Sequence, residues 1–426
     1  MTKVFIKTFG CSQNTADSEI MAGLLVKAGF SLVDNAEDSE LVIINSCTVK
    51  TPTETNFFRH LEEYKKMGRK IVIAGCLPQA TPEKVKGYSL IGPSQIQSIV
   101  EVVEETLQGN SVTLLVNEKT NKLILPRIRR NKHIEIIPIS AGCLGNCAYC
   151  IVKLARGDLI SYPKEDILKR VRTAVNDNVN QIWITSQDTG CYGFDNDDGY
   201  LLPALLKDIA RIPGEFKVRL GMLTPDHVLK FTDELIDAFK SEKIYKFLHI
   251  PIQSGNDDVL KTMRRRYTTN DILNIMVKFR NEIPDITIST DIICGFPGET
   301  KNQFNDSLSF LKKIKPEIVN RSRFWPRPKT EAMSMKGQVK SSETKDRSRQ
   351  LGFIVEWISF EKNKKWKDWK GFVLIETSGK EGTFIARNFA YKPIILKGKY
   401  VPGQRVYARV VSTTIYHLRA VEERIS

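Results

Sequence analysis

The chain has 426 residues, 41% of them hydrophobic and 27% charged, enough for a large core and two or three domains. A formal net charge of +15 makes RNA, DNA or an anionic membrane surface the expected partner, the alternative being a lysine-rich surface kept for solubility or thermostability. No run suits a membrane span or a signal peptide, and eight cysteines then argue for metal or redox use over a disulfide framework, so a soluble cytoplasmic protein is expected.

The first hundred or so residues alternate β-rich runs with amphipathic helical segments, such as Ser18 to Ala28 and Glu54 to Met67. Val4–Thr8 leads to Cys11, Leu41–Ser46 to Cys47, and Lys70–Gly75 to Cys76. The intervals suit βαβ units, so the strands are predicted to be parallel, with their carboxyl ends on one edge. Three cysteines far apart in sequence then converge. A lone cysteine at a strand end is usually a small buried apolar residue. Three in the same position, two of them after glycine, favour a metal site with one ligand missing.

A basic linker around Arg127–Lys132 precedes a second β/α alternation. Six strands are predicted at Ile134–Ser140, Gln181–Thr185, Phe216–Gly221, Lys246–Ile250, Ile286–Ile293 and Ile318–Phe324, with helices such as Lys164–Asn176, Asp226–Lys240 and Thr269–Glu282 between them. Six such units suit an incomplete TIM-like barrel whose site lies at the carboxyl strand ends. The first end carries Cys143-Leu144-Gly145-Asn146-Cys147-Ala148-Tyr149-Cys150. Three thiolates in C-x3-C-x2-C spacing suit a four-iron cubane cluster with one iron left open, against a zinc knuckle completed by a distant residue. On the same rim, Gln187, Asp188, Gln253 and Ser254 offer polar groups for ribose or amino-acid recognition, and Gly295 and Gly298 permit close backbone approach. Cys191 and Cys294 read as structural.

Past Ser342 a charged helical connector ends in Lys362, Lys364, Lys365, Lys367 and Lys370 interleaved with Trp366 and Trp369. This pattern offers phosphate contacts and base stacking, or a solvated helix whose tryptophans pack on a neighbour. Five short strands follow, suiting a small OB-like barrel of the kind that often binds RNA. The expected units are residues 1–115, 133–355 and 366–426.

The spacing of Cys143, Cys147 and Cys150 resembles that of the radical S-adenosylmethionine (SAM) superfamily. Across essentially the whole chain the order of parts resembles the methylthiotransferase family within it. Gly10-Cys11-Ser12-Gln13-Asn14, Asn45-Ser46-Cys47-Thr48-Val49, Gly75-Cys76, Gln253-Ser254-Gly255 and Gly295-Phe296-Pro297-Gly298-Glu299 match its motifs. So does Arg327-Pro328-Lys329-Thr330, where the family's usual glycine is Lys329. The resemblance implies an N-terminal α/β domain, a partial (β/α)6 radical-SAM barrel and a C-terminal TRAM barrel. It also implies two 4Fe-4S clusters, held by Cys11, Cys47 and Cys76 and by Cys143, Cys147 and Cys150. One SAM would methylate sulfur at the first cluster, and a second, cleaved at the other, would generate the radical that opens a substrate C–H bond. Lys153-Leu154-Ala155-Arg156-Gly157 and Ser186-Gln187-Asp188-Thr189-Gly190 look like the archaeal and eukaryotic group acting on threonylcarbamoyladenosine in tRNA, and Arg156 joins the expected cofactor-binding residues. The implied partners are tRNA, a reductant protein and a sulfur donor. The competing expectations are another tRNA adenosine, an aspartate of a ribosomal protein, and a non-catalytic RNA-binding iron–sulfur protein.

Overall fold

The computed structural model describes residues 1–118, 120–196 and 199–424. Asp197 and Asp198 of the expected barrel, and Ile425 and Ser426 of the expected C-terminal module, lie outside the described residues.

Six strands form the N-terminal sheet: β1 (Lys3–Thr8), β2 (Ser31–Val33), β3 (Leu41–Ser46), β4 (Lys70–Gly75), β5 (Ser89–Ile91) and β6 (Thr113–Leu114). All pairings are parallel, in the order β2-β1-β3-β4-β5-β6. Every residue of β3 is buried, as an apolar run covered on both sheet faces requires. Helix α1 (Ser12–Lys27) starts six residues before the predicted Ser18. Its first turn, Ser12-Gln13-Asn14-Thr15, lacks apolar periodicity, because Gln13 and Asn14 are buried in polar contacts. Helix α2 spans Thr51–Lys66.

Six more parallel strands follow: β7 (Ile134–Pro138), β8 (Gln181–Thr185), β9 (Lys217–Leu220), β10 (Phe247–His249), β11 (Thr287–Cys294) and β12 (Ile318–Arg323). They form two three-stranded sheets, β7-β8-β9 and β10-β11-β12, joined by a parallel bridge between Val218 and Ile244. The result is a partial barrel with its seam between β7 and β12. Short helix α3 (Val152–Arg156) follows the cysteine triplet, and α4 (Ser341–Lys364) packs outside β12. The helix expected at 226–240 is two pieces, Pro225–Val228 and Thr232–Phe239, with Phe231 buried between them at extended φ −147°.

The C-terminal strands β13 (Lys370–Ser378), β14 (Thr383–Arg387), β15 (Pro393–Lys397), β16 (Arg405–Thr413) and β17 (Leu418–Glu422) close into a barrel in the order β13-β14-β15-β17-β16. Trp366 is 2% exposed in its core, edge-on to Trp369 with ring centroids 5.8 Å apart. The packing reading of these tryptophans is therefore the correct one. Four of the five connector lysines are also engaged: Lys362 with Glu317 at 3.0 Å, Lys365 with Asp285 at 3.0 Å, Lys364 with Glu361 and Lys370 with Glu423, each at 2.6 Å. No described helix is long and apolar enough to cross a membrane.

Candidate functional site

Cys11, Cys47 and Cys76 follow three neighbouring strands, β1, β3 and β4, so the sheet order brings them together. The two preceding glycines have a steric reason. Gly75 has φ +94°, and a Cβ there would lie 2.3 Å from Asn45 Oδ1; Gly10 has φ +115°, and a Cβ there would lie 2.8 Å from Cys47 Cβ. Asn14 sits among the thiols, with its Oδ1 3.8 Å from both Cys11 Sγ and Cys76 Sγ. Its Nδ2 donates to Phe9 O at 2.8 Å and Ser46 O at 2.9 Å, tying the ends of β1 and β3.

Arg156, from the barrel, reaches this N-terminal site rather than the barrel rim. Its guanidinium donates to Asn14 Oδ1 at 2.6 Å and to Asp17 Oδ2 at 2.8 Å, with both partners buried. Lys122 adds a second buried cation to Asp17 at 2.7 Å. Burial opposes ionisation of Asp17, yet Lys122 and Arg156 together hold its carboxyl below the usual range. Burial pushes the Cys47 thiol up to about 12 and raises that of Cys76, against which Arg156 pulls down.

Cys143, Cys147 and Cys150 lie in one loop at the end of β7. Cys143 N–H donates to Gly157 O at 3.2 Å, and Ala148 N–H to Met263 O at 3.2 Å. Burial pushes Cys143 up to about 11 and Cys150 up to about 12. One residue here lies outside every sequence motif: Arg265 Nη1 is 2.8 Å from Cys147 Sγ, while its Nε donates to Tyr267 Oη at 2.8 Å. The run Arg264-Arg265-Arg266 was its only signal. Each triplet thus has one guanidinium beside it.

All eight cysteines are free thiols. Among the described residues the one His/Cys/Asp/Glu group with all donor atoms within 4.8 Å is Asp188, Cys191 and His227. Neither cysteine triplet is therefore drawn around a single ion, whereas the corners of a cubane separate its ligands over several irons. Soft thiolates that burial disfavours unless a metal compensates them fit such a cluster at both places.

The elements that carry the two triplets meet at one interface. Ser12 Oγ lies 2.8 Å from Thr185 Oγ1, Gln13 Nε2 donates to Ser140 O at 3.2 Å, and Gln187 Nε2 donates to Gln13 Oε1. Arg327 from the barrel mouth donates to Thr48 O at 3.2 Å and pairs with Glu54, clamping the loop after Cys47. Lys329 holds the left-handed φ of +62°, the conformation for which glycine is the usual residue, and its Nζ donates to Ala80 O at 3.2 Å.

The other expected cofactor contacts divide. Gln187 and Gln253 stand on the rim, with Gln253 at φ +64° and its N–H donating to Asp291 O at 2.8 Å. Ser254 is fully buried and turned to Ser307, with the oxygens 3.3 Å apart, so it braces a helix instead of facing the lumen. Asp188 is buried beside Cys143, and its Oδ1 accepts Gly190 N–H at 2.9 Å and Thr224 N–H at 3.1 Å, capping its own loop. Gly295, at φ +78°, is needed because a Cβ would lie 2.5 Å from Thr344 Oγ1 on α4, while Gly298, at φ +81°, has open space around it. Cys191, which donates to Asp188 O at 3.1 Å, and Cys294 are both fully buried.

Residues 137–311 match the radical SAM superfamily and residues 3–90 the uncharacterized protein family UPF0004. A solved radical S-adenosylmethionine methyltransferase, TsrM from Kitasatospora setae, is similar in fold, with a TM-score of 0.59 over 78% of this chain and 75% of that one at 13% identity. The radical SAM match brings SAM and a 4Fe-4S cluster to the barrel. A probable threonylcarbamoyladenosine tRNA methylthiotransferase of Pyrococcus horikoshii is 43% identical over 93% of this chain and 94% of its own length. The human threonylcarbamoyladenosine tRNA methylthiotransferase is 44% identical over 82% of this chain and 62% of its own length. With two cysteine triplets, and identity at this level along nearly the full length of the archaeal relative, the chain belongs to the threonylcarbamoyladenosine tRNA methylthiotransferase family.

Proposed function

We propose that this protein attaches a methylthio group to the adenine of threonylcarbamoyladenosine beside the tRNA anticodon, using SAM and two 4Fe-4S clusters. The observation that supports this reading is the second thiol site: three cysteines at neighbouring strand ends of the N-terminal sheet, in a domain that packs against the barrel. When bound, the clusters supply reductive cleavage of SAM and a place for the sulfur to be methylated. The chain's own part is to hold both sites in register. Asn14 and Arg156 organise the first, and Arg265 offsets thiolate charge at the second. Arg327 clamps the loop after Cys47 to the barrel, so that the methylthio group and the substrate carbon would meet at the domain interface. Gln187 and Gln253, on the rim, would be SAM contacts in this reading.

Reductive cleavage takes electrons and the product takes sulfur, so a reductant protein and a sulfur donor complete the reaction. The positive charge of the chain supports an RNA substrate. The test is anaerobic incubation of the reconstituted protein with SAM, reductant, a sulfide source and tRNA carrying threonylcarbamoyladenosine, followed by mass spectrometry of the nucleosides. The methylthio nucleoside is the expected product. Modification of a ribosomal protein instead, or SAM that binds and is never cleaved, overturns the reading.

A further inference from the structure

The lumen of the barrel holds a cation that none of the roles above employs. On β9, Val218 and Leu220 point outward into the core beneath the helices, so Arg219 between them points inward. Its guanidinium carbon lies 5.3 Å from the ring centroid of Trp183 on β8, 5.3 Å from that of Phe247 on β10 and 5.4 Å from that of Tyr391. Tyr391 comes from the C-terminal barrel. It is 7% exposed, packs on Tyr245 and Phe247, and closes this end of the lumen.

Three rings hold the cation, and no anion meets it. Among the described residues Arg219 has neither an ion pair within 4.0 Å nor a hydrogen bond, and its Nε is buried without a partner. Buried or half-buried arginines are normally paired, because a guanidinium taken from water loses hydration that only a matched acceptor restores. The inward carboxylate nearby on β11, Asp291, is already committed to His249, with Nε2 to Oδ2 at 2.6 Å. The arginine is thus preorganised by stacking, with its fork of donors unspent, inside the barrel whose carboxyl strand ends carry the cysteines.

We propose that Arg219 receives the free carboxylate of the threonyl group on the substrate adenine, and so selects an amino-acid-bearing base over one with a neutral alkyl substituent. This rests on the substrate proposed above and goes beyond it to the residue that reads the substituent. A planar carboxylate matches the guanidinium fork bidentately, which an alkyl group cannot do. A site built around such a pair rejects the analogue lacking it strongly, since the cation is then left without an acceptor.

The test pairs a change in the ligand with a change in the protein. Three anticodon stem–loop RNAs are compared: one with threonylcarbamoyladenosine, one with the same group as its carboxamide, and one with unmodified adenosine. Binding to the full-length, cluster-loaded protein is measured by fluorescence anisotropy, and kcat and KM are measured for methylthiolation of the first two. The wild type should bind the acid about tenfold to a hundredfold more tightly than the amide, the range for a desolvated charge-assisted pair. Arg219→Met should bind the acid and the amide equally, near the wild-type value for the amide, and Arg219→Lys should keep part of the preference. The loss should appear mainly in KM. An Arg219→Met variant that still separates acid from amide as the wild type does would overturn the inference and leave Arg219 as packing for Trp183 and Phe247. A wild type that methylthiolates neither RNA would overturn the proposed substrate instead. Lost binding to the unmodified stem–loop too would mean a disturbed fold, and Arg219→Lys then decides by whether its acid-to-amide ratio is reduced.

Discussion

The two cysteine triplets supply the same number of thiols by opposite means. Cys143, Cys147 and Cys150 share one loop, and all three are half-buried. Cys11, Cys47 and Cys76 come from three strand ends, and only the packed sheet makes them neighbours. The barrel site is therefore local in sequence and depends on its loop. The N-terminal site is written into the fold, with Gly10, Gly75 and Asn14 fixing how closely the strand ends approach. The N-terminal site also takes its arginine from the other domain, while the barrel keeps Arg265 to itself.

The largest effects should come from removing one triplet at a time. Replacing Cys143, Cys147 and Cys150 with Ala should lower bound iron from about eight to about four per chain, since each cubane holds four, and abolish formation of 5′-deoxyadenosine. Replacing Cys11, Cys47 and Cys76 should halve iron equally, yet leave 5′-deoxyadenosine forming while no methylthio product appears. Full iron retention in either triple variant would break the comparison outright. Loss of SAM cleavage in the second, with the fold intact by circular dichroism, would show that the sites do not divide the work.

The arginines should separate the sites next. Arg156 and its partner Asp17 are buried, so Arg156→Met leaves a carboxylate with Lys122 alone, and stability of the metal-free chain should fall by about 3–5 kcal/mol, as for other broken buried pairs. Arg265 is half-buried, and Arg265→Met should cost less, about 1–3 kcal/mol. Denaturant midpoints measure both. The Asp17 contribution has a defined pH window. Its carboxyl is depressed in the folded chain, so the stabilisation is intact above the unfolded value of 3.8 and is lost as pH falls through the lower folded value. Asp17→Asn should therefore flatten stability against pH only in that acid range. Equal costs for the two arginines would mean that the N-terminal site gains nothing from its place in the interface.

Much of this was legible in the chain. The C-x3-C-x2-C run and the three strand-end cysteines stand out because ligand spacing and strand periodicity are local patterns. Long-range pairing leaves no such mark. Nothing near Arg156 shows that it crosses to Asn14 and Asp17, and nothing near Lys362 or Lys365 shows that Glu317 and Asp285 neutralise them. Ser254 reads as a rim residue because its neighbours Gln253 and Gly255 are loop-like, yet its hydroxyl faces a helix distant in sequence. Arg219 reads as an ordinary strand residue, because only the assembled partial barrel shows it facing inward with no partner among the described residues.

The smallest expected effect lies where the two domains touch, at Lys329. Its backbone sits in the left-handed region at φ +62°, which strains any residue with a Cβ by roughly 1 kcal/mol. Against this stands one hydrogen bond from Nζ to Ala80 O at 3.2 Å, at the end of the short helix Cys76–Ala80, and a loose pairing with Glu83 at 3.8 Å on a half-exposed side chain. A contact of that exposure is worth about as much as the strain it accompanies or less. Lys329→Gly should thus change the melting temperature by only a few degrees in either direction, and leave iron content and barrel SAM cleavage alone. The N-terminal site decides the meaning of this residue. If Lys329 matters through Cys76, the variant should lose iron to a chelator faster from the N-terminal triplet than from the barrel triplet. The rates are read separately in backgrounds where the other triplet is Ala. Equal rates would mean that Arg327 and Arg156 alone carry the coupling between the domains.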